Sequence, residues 1–373
     1  VTENADKECR YLVRGIQRKA PESLVVITGC YAQLKPKEIA AIPGVDLVLG
    51  AAEKFNIGAH LKELAKGDSA KISSCEIEEV SGFNASFSLS DRTRSFLKVQ
   101  DGCDYNCSFC TIPMARGKSR SDSIENVLKE VELIAAAGVK EIVLTGINLG
   151  DYGKGFTGGK KHETDFFGLV KELDKIEKIE RFRISSIEPN LLGNDLIEFV
   201  SNSKKFMPHF HIPLQSGSNN ILANMRRRYK KELYAEKAGL IKMLMPHCCI
   251  GADVIVGFPG ETEEDFKETA DFIQSLDISY LHVFTYSERD NTHALSIKPV
   301  VPVHIRNERN KILRNISYTK MQAFTEKHIG QTRKVLFESV NKNGMMEGYT
   351  DNYIKITTPY KKEWENEVVG WVV

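Results

Sequence analysis

Between residues 95 and 290 the chain alternates, six times over, a short apolar run with a longer amphipathic stretch. The apolar runs are FLKVQ (96–100), EIVLTG (141–146), RFRISS (181–186), FHIPL (210–214), CIGADVIVGF (249–258) and YLHVFTY (280–286). Runs of this length, rich in β-branched and aromatic residues, read as buried strands. Helical periodicity fills the intervals, at 123–137, 166–178, 193–202, 230–245 and 262–276. Strands that alternate with helices pair in parallel through right-handed crossovers. The expected fold class is therefore α/β. Six units rather than eight favour a partial (β/α)6 barrel, with a flat doubly wound sheet as the alternative. Both place ligand-binding loops at the carboxyl ends of the strands.

The flanks read differently, and 373 residues suit two or three domains. Residues 1–85 resemble part of another α/β unit. A helix-like segment (ADKECRYLVRGIQRKA) precedes strands SLVVITG (23–29) and LVLG (47–50), and EKFNIGAHLKELAKG (53–67) reads as a helix ended by Gly67. A doubly wound domain would normally open on a strand, so this unit is expected to be incomplete at its start. SGFNASFSLSDRTR (81–94) is the best linker, and 86–297 the barrel. Residues 298–330 form a helical connector opened by a proline, with nine Lys/Arg against two Asp/Glu over 298–334. Residues 331–373 switch to period-two patterning with Asn-Gly and Glu-Gly turns, a small all-β module.

Three of the eight cysteines, Cys103, Cys107 and Cys110, fall within eight positions just after the first barrel strand. A disulfide would use two thiols and strand the third. Zinc usually takes a fourth Cys or His, and no His lies within 40 residues of Cys110. Three thiolates with one position open fit an iron–sulfur cluster best. Eight scattered cysteines do not form a secreted disulfide framework, so a cytoplasmic setting is expected. No apolar run is long enough to span a membrane. With a net charge of +1, any nucleic-acid binding must come from local patches.

Other strand ends converge on the same pocket. Thr145, Gly146 and Asn148 follow the second strand, with a backbone edge suited to an amino group. Ser185 and Glu188 follow the third, the glutamate suited to ribose hydroxyls. Gln215, Ser216 and Gly217 open a helix, a polar N-terminus for carboxylate or hydroxyl groups. Ser-His-Asp and paired-carboxylate machinery is not evident.

The spacing C-x3-C-x2-C with Phe109 before the last cysteine resembles the signature of the radical S-adenosylmethionine (SAM) superfamily. The resemblance implies that Cys103, Cys107 and Cys110 hold a [4Fe-4S] cluster whose open iron chelates SAM, and that Phe109 packs against cluster or adenine. VVITGCYAQLKPKEIAAIPGVDLVLGAAEKF (25–55), VQDGCDYNCSFCTIPMARGKSRS (99–121) and the terminal EGYTDNY together resemble the methylthiotransferases. The text around the cluster is closest to the branch acting on N6-threonylcarbamoyladenosine of tRNA. Isopentenyladenosine tRNA and a ribosomal-protein aspartate are the alternative targets. A non-catalytic RNA-binding protein with a structural metal is the alternative of another class.

That resemblance further implies a flavodoxin-like N-terminal domain with an auxiliary [4Fe-4S] cluster, a C-terminal RNA-binding TRAM domain, and an electron donor and a sulfur source as partners. Cys30 corresponds to the third auxiliary ligand. Cys9 and Cys75 match neither of the other two, so the auxiliary site is expected to be incomplete here. The tRNA anticodon loop would meet basic patches at Arg116, Lys118 and Arg120 and at Arg226, Arg227, Arg228 and Lys230. Tyr349 and Tyr353, with Tyr360 and Trp364, could stack on its bases.

Overall fold

The computed structural model describes residues 2–67, 69–80, 82–89, 93–154, 164–340 and 343–373. The N-terminal unit opens with a helix, Glu3–Lys19, whose first turn is capped by the Thr2 hydroxyl accepting from the Ala5 N–H. Strands β1 (Val26–Thr28), β2 (Leu47–Leu49) and β3 (Lys71–Ser73) then pair in parallel in that order. The expected helix at 53–67 is shorter than its pattern suggests. A single 3-10 turn at Glu53–Phe55 precedes a helix over Ile57–Lys62. No residue of either segment is buried, so no packing stabilises a longer helix.

The linker expected at 81–94 is partly structured. Residues 81 and 90–92 lie outside the described residues, but β4 (Ser86–Phe87) pairs antiparallel with the first barrel strand. That strand is β5 (Arg94–Lys98), continued by β6 (Gln100–Asp101), which pairs with β7 (Arg120–Ser121). The remaining barrel strands are β8 (Glu141–Thr145), β9 (Arg181–Ile184), β10 (His209–His211), β11 (Cys249–Val256) and β12 (Tyr280–Thr285). All neighbours are parallel. A bridge between Phe182 and Phe206 joins the two halves into one arc. Leu97, Leu144, Phe182, Ile212, Ala252 and Val254 face the helices in one continuous core. The opposite face carries Lys98, Glu141, Arg183, His211, Asp253 and His282, so the inside of the arc is polar.

β12 is an edge strand, and the long helix Val303–Glu326 covers it. The Ser317 hydroxyl accepts from the Leu281 N–H and donates to the Leu281 carbonyl, and the Asn310 amide donates to the Val283 carbonyl. The basic bias of this helix is partly internal. Arg306 is buried against Glu288 and the Tyr286 carbonyl, and Arg309 against Glu261 and Glu263. The C-terminal module is a four-stranded antiparallel sheet of β13 (Thr332–Val340), β14 (Met345–Thr350), β15 (Lys355–Pro359) and β16 (Val368–Val372), in the order β15-β14-β13-β16.

Candidate active site

The loop after β6 is set by a close backbone approach. Gly102 has φ +74°, and a Cβ there would sit 2.0 Å from the Lys118 carbonyl oxygen. Downstream, the Ser108 N–H donates to the Met225 carbonyl and its hydroxyl to the Asn224 carbonyl, pinning the loop to the opposite wall. Cys103, Cys107 and Cys110 then line a cavity of about 920 Å³ together with Tyr105, Lys118 and Arg226. The Tyr105 N–H points at Cys103 Sγ and the Ile112 N–H at Cys110 Sγ, each at 3.4 Å. Arg227 Nη1 donates to Cys107 Sγ at 3.1 Å and its other nitrogen pairs with Glu188.

Every sulfur therefore has a donor aimed at it, an arrangement suited to thiolates. Burial nevertheless pushes the bare Cys103 thiol up to about 12 and raises Cys110 as well. Only a bound cation would hold such groups deprotonated. Three thiols around one open cavity leave a position for a further ligand, the donor set that an iron–sulfur cluster takes.

The comparisons agree. Residues 97–273 match the model of the Radical SAM superfamily. The chain is 38% identical over 366 residues to the threonylcarbamoyladenosine tRNA methylthiotransferase MtaB of Bacillus subtilis, covering 95% of this chain and 79% of that protein. To the protein of the same name from Aquifex aeolicus it is 40% identical over 368 residues, covering 97% and 86%. A tRNA-2-methylthio-N(6)-dimethylallyladenosine synthase of Clostridium botulinum is 32% identical over 339 residues, covering 89% and 74%. The chain belongs to the radical SAM methylthiotransferases. It is thus an enzyme with SAM and [4Fe-4S] clusters as cofactors, and the reading as a non-catalytic RNA-binding protein falls.

The remaining strand-end residues of this methylthiotransferase sort into two groups. Thr145 and Gly146 line a second cavity of about 620 Å³ beside Gln100 and Arg116. Gln215 turns the chain at φ +65°, and its buried Oε1 has no partner. A strained residue with an orphaned acceptor fits a bound polar group. Asn148 is buried with its amide donating to Asp151 and its Oδ1 orphaned. The N–H groups of Ile147 and Asn148 are both taken by Gln100 Oε1 at 2.8 Å, which fixes this loop; an amino group received there would need its carbonyl oxygens instead. Glu188 is paired with Arg227, and Ser185 closes the end of β9 through its N–H to the Leu144 carbonyl. Ser216 and Gly217 do not reach the mouth. Thr269 meets both, and a Cβ on Gly217 would lie 2.8 Å from the Thr269 Cα, so this glycine serves close helix packing. Phe109 packs edge-on against Phe258 at 6.3 Å, in a core cluster with Ile221 and Met225.

Cys30 opens a short helix at the carboxyl end of β1, and its Sγ accepts from Arg116 Nε at 3.1 Å. Arg116 ends the helix Ile112–Arg116, which starts two residues after Cys110. One turn of chain thus links the three-thiol loop to Cys30. Of the proposed RNA contacts, Lys118, Arg226, Arg228 and Lys230 are exposed. Five others are not free, Arg116 among them through Cys30 and Asp101. Arg120 is buried over Asp101, and Arg227 is occupied by Cys107 and Glu188. Tyr349 and Tyr353 stack on each other at 4.9 Å, with Arg94 over the first ring and Arg183 over the second.

Sequence reasoning missed Gln100. Fully buried, it accepts two N–H bonds from the 147–148 loop and donates to the Gly102 carbonyl and the Ser119 hydroxyl. It clamps the cysteine loop to the next strand end, and a lone glutamine carries no signal of that. Also missed was a carboxylate between two imidazoles inside the arc. Asp253 Oδ1 faces His211 Nε2 at 2.9 Å and His282 Nδ1 at 3.4 Å, which hold its carboxyl far below the usual range although burial would raise it. Strand register gives part of it, since Asp253 and His282 are directly opposed.

Proposed function

We propose that this protein adds a methylthio group to C2 of N6-threonylcarbamoyladenosine beside the anticodon of tRNA, in the cytoplasm, with an electron donor and a sulfur source as partners. The observation that carries the reading is the three-thiol loop at the barrel mouth, in a chain with 34–40% identity to relatives named for that reaction. Cys103, Cys107 and Cys110 would hold the SAM-binding cluster and Cys30 a ligand position of the auxiliary one. When bound, the cluster and SAM supply radical chemistry at an aromatic carbon whose C–H has no useful acidity. The chain's own residues do the rest. Gln100 and the Ser108 anchor fix the loop, Arg227 orients toward Cys107 with Glu188 behind it, and Gln215 offers an acceptor to SAM.

Residues 1–85 fit the flavodoxin-like domain, 86–297 the barrel, 298–330 the connector and 331–373 a TRAM domain. Exposed Lys118, Arg226, Arg228 and Lys230 around the mouth are suited to phosphates of the anticodon loop. The test is reconstitution with iron, sulfide, SAM and a reductant, followed by mass analysis of nucleosides from anticodon stem-loops. A methylthio product on the threonylcarbamoyl loop supports the assignment. Product confined to an isopentenyl loop would transfer it to the other branch.

A further inference from the structure

The second cavity lies between the N-terminal unit and the barrel mouth, and its charge is unbalanced. Lys54 and Phe55 reach it from the first unit, and Lys98, Asp101 and Arg116 from the second. Asp101 is its only acid among the described residues, and that carboxylate is already shared. Lys98 at 3.6 Å, Arg116 at 3.6 Å and Arg120 at 3.4 Å all address the same oxygen, Oδ2. Lys54 has no carboxylate within 4.0 Å among the described residues. Its ammonium lies 4.8 Å from the Phe55 ring centre, and that of Lys98 lies 4.9 Å from the Phe83 ring. Burial pulls both ammonium groups below their ordinary pKa, so the cavity holds cations without enough anion to match them.

Its place is equally defined. Lys98 is the register partner of Thr145 at the carboxyl ends of β5 and β8. Arg116, on the cavity wall, holds Cys30. A base presented between the two cysteine sites therefore has this cavity beside it. Threonylcarbamoyladenosine differs from other adenosines by an N6 substituent that ends in a carboxylate. A volume of about 620 Å³ suits a substituent of that size.

On the threonylcarbamoyl reading above, we infer that Lys98 and Lys54 bind the carboxylate of the N6 substituent and so select this substrate. An isopentenyl group or a bare amino group would leave Lys54 without a carboxylate and Lys98 with only its share of Asp101 in a half-buried site, which costs more than losing an exposed contact. The shared pull on Asp101 keeps Lys98 from being neutralised within the protein. Phosphates have other partners, since Arg226, Arg228 and Lys230 are exposed.

The test measures affinity of the reconstituted protein for two anticodon stem-loops, alike except that one carries threonylcarbamoyladenosine and the other unmodified adenosine. The wild type is expected to favour the modified loop by about tenfold or more, as a partly screened charged hydrogen bond provides. Lys98→Met and Lys54→Met should each bring that ratio toward one while the affinity for the unmodified loop stays within about twofold, which also shows that the variants fold. Lys98→Arg should restore most of the ratio. Equal weakening for both loops would mean a phosphate contact and overturn the inference. So would a ratio that persists in both Met variants while the wild type forms methylthio product on the modified loop. Absence of that product on any threonylcarbamoyl loop would instead remove the parent reading, and this inference with it.

Discussion

The two ends of the barrel use the same residue types to opposite effect. At the floor, register sets Arg94, Glu141 and Arg181 directly across from one another at the amino ends of β5, β8 and β9, with Arg183 two residues on. Glu141 is fully buried and takes both nitrogens of Arg183 at 3.2 Å. The arginines' other hydrogens go to carbonyls of the C-terminal module: Arg181 to Lys334 and Tyr349, Arg183 to Thr350 and Asp351. Every charge there is answered within the chain. At the mouth, three thiols share a cavity, Gln215 keeps an orphaned acceptor, and three cations crowd one aspartate. Polar groups that complete one another hold a fold together, whereas polar groups left incomplete await a ligand.

The largest expected effect is at the mouth. Cys107→Ala should reduce 5′-deoxyadenosine formation from SAM to background and lower iron content, while the melting temperature of the metal-free protein shifts by less than about 4 °C. A cooperative loss of fold in the metal-free variant would break the contrast, because the mouth would then be structural too. Glu141→Gln is the counterpart at the floor. It should cost about 3–5 kcal/mol in denaturant unfolding by leaving buried guanidiniums without their carboxylate. Burial would raise the Glu141 carboxyl, yet the three guanidiniums hold it below its ordinary value. Its stabilisation is therefore full above the ordinary carboxylate range and lost as pH falls through that lowered value. A pH-independent difference between wild type and Glu141→Gln under acid would contradict the floor as described.

Gln100→Leu tests the residue that belongs to both classes, since it is satisfied within the chain yet positions the cysteine loop. It should destabilise by about 1–3 kcal/mol through the two N–H groups left without an acceptor. It should also raise the SAM concentration needed for half-maximal cleavage, and unchanged SAM dependence would make it purely structural. The smallest effect separates the basic residues. Lys230→Ala should leave stability unchanged and lower the salt slope of RNA binding by about one. Arg120→Ala should behave in reverse, costing stability and leaving the slope alone.

Much of the fold was legible because periodicity is local. All six barrel strands, the long helix and the period-two tail lie where their patterns put them. The helix expected over 53–67 was not, since it lacks a buried face to hold it. The three-thiol loop was legible as well, because thiols spaced at C-x3-C-x2-C have few other uses. Patches of arginine and tyrosine were not. Arg120, Arg227, Tyr349 and Tyr353 read as RNA contacts, and each is engaged inside the protein.

The sequence by itself determined that this chain forms a parallel α/β arc with a three-thiol loop at its carboxyl edge. Hydrophobic period and cysteine spacing are properties of neighbours along the chain. Only the tertiary structure decided which charges are spent and which are left. Arg183 meets the Thr350 carbonyl 167 residues away, and Arg116 meets Cys30 86 residues away. A charged side chain's role depends on whether a partner from a distant segment reaches it before solvent or substrate does, and one-dimensional order does not carry that distance.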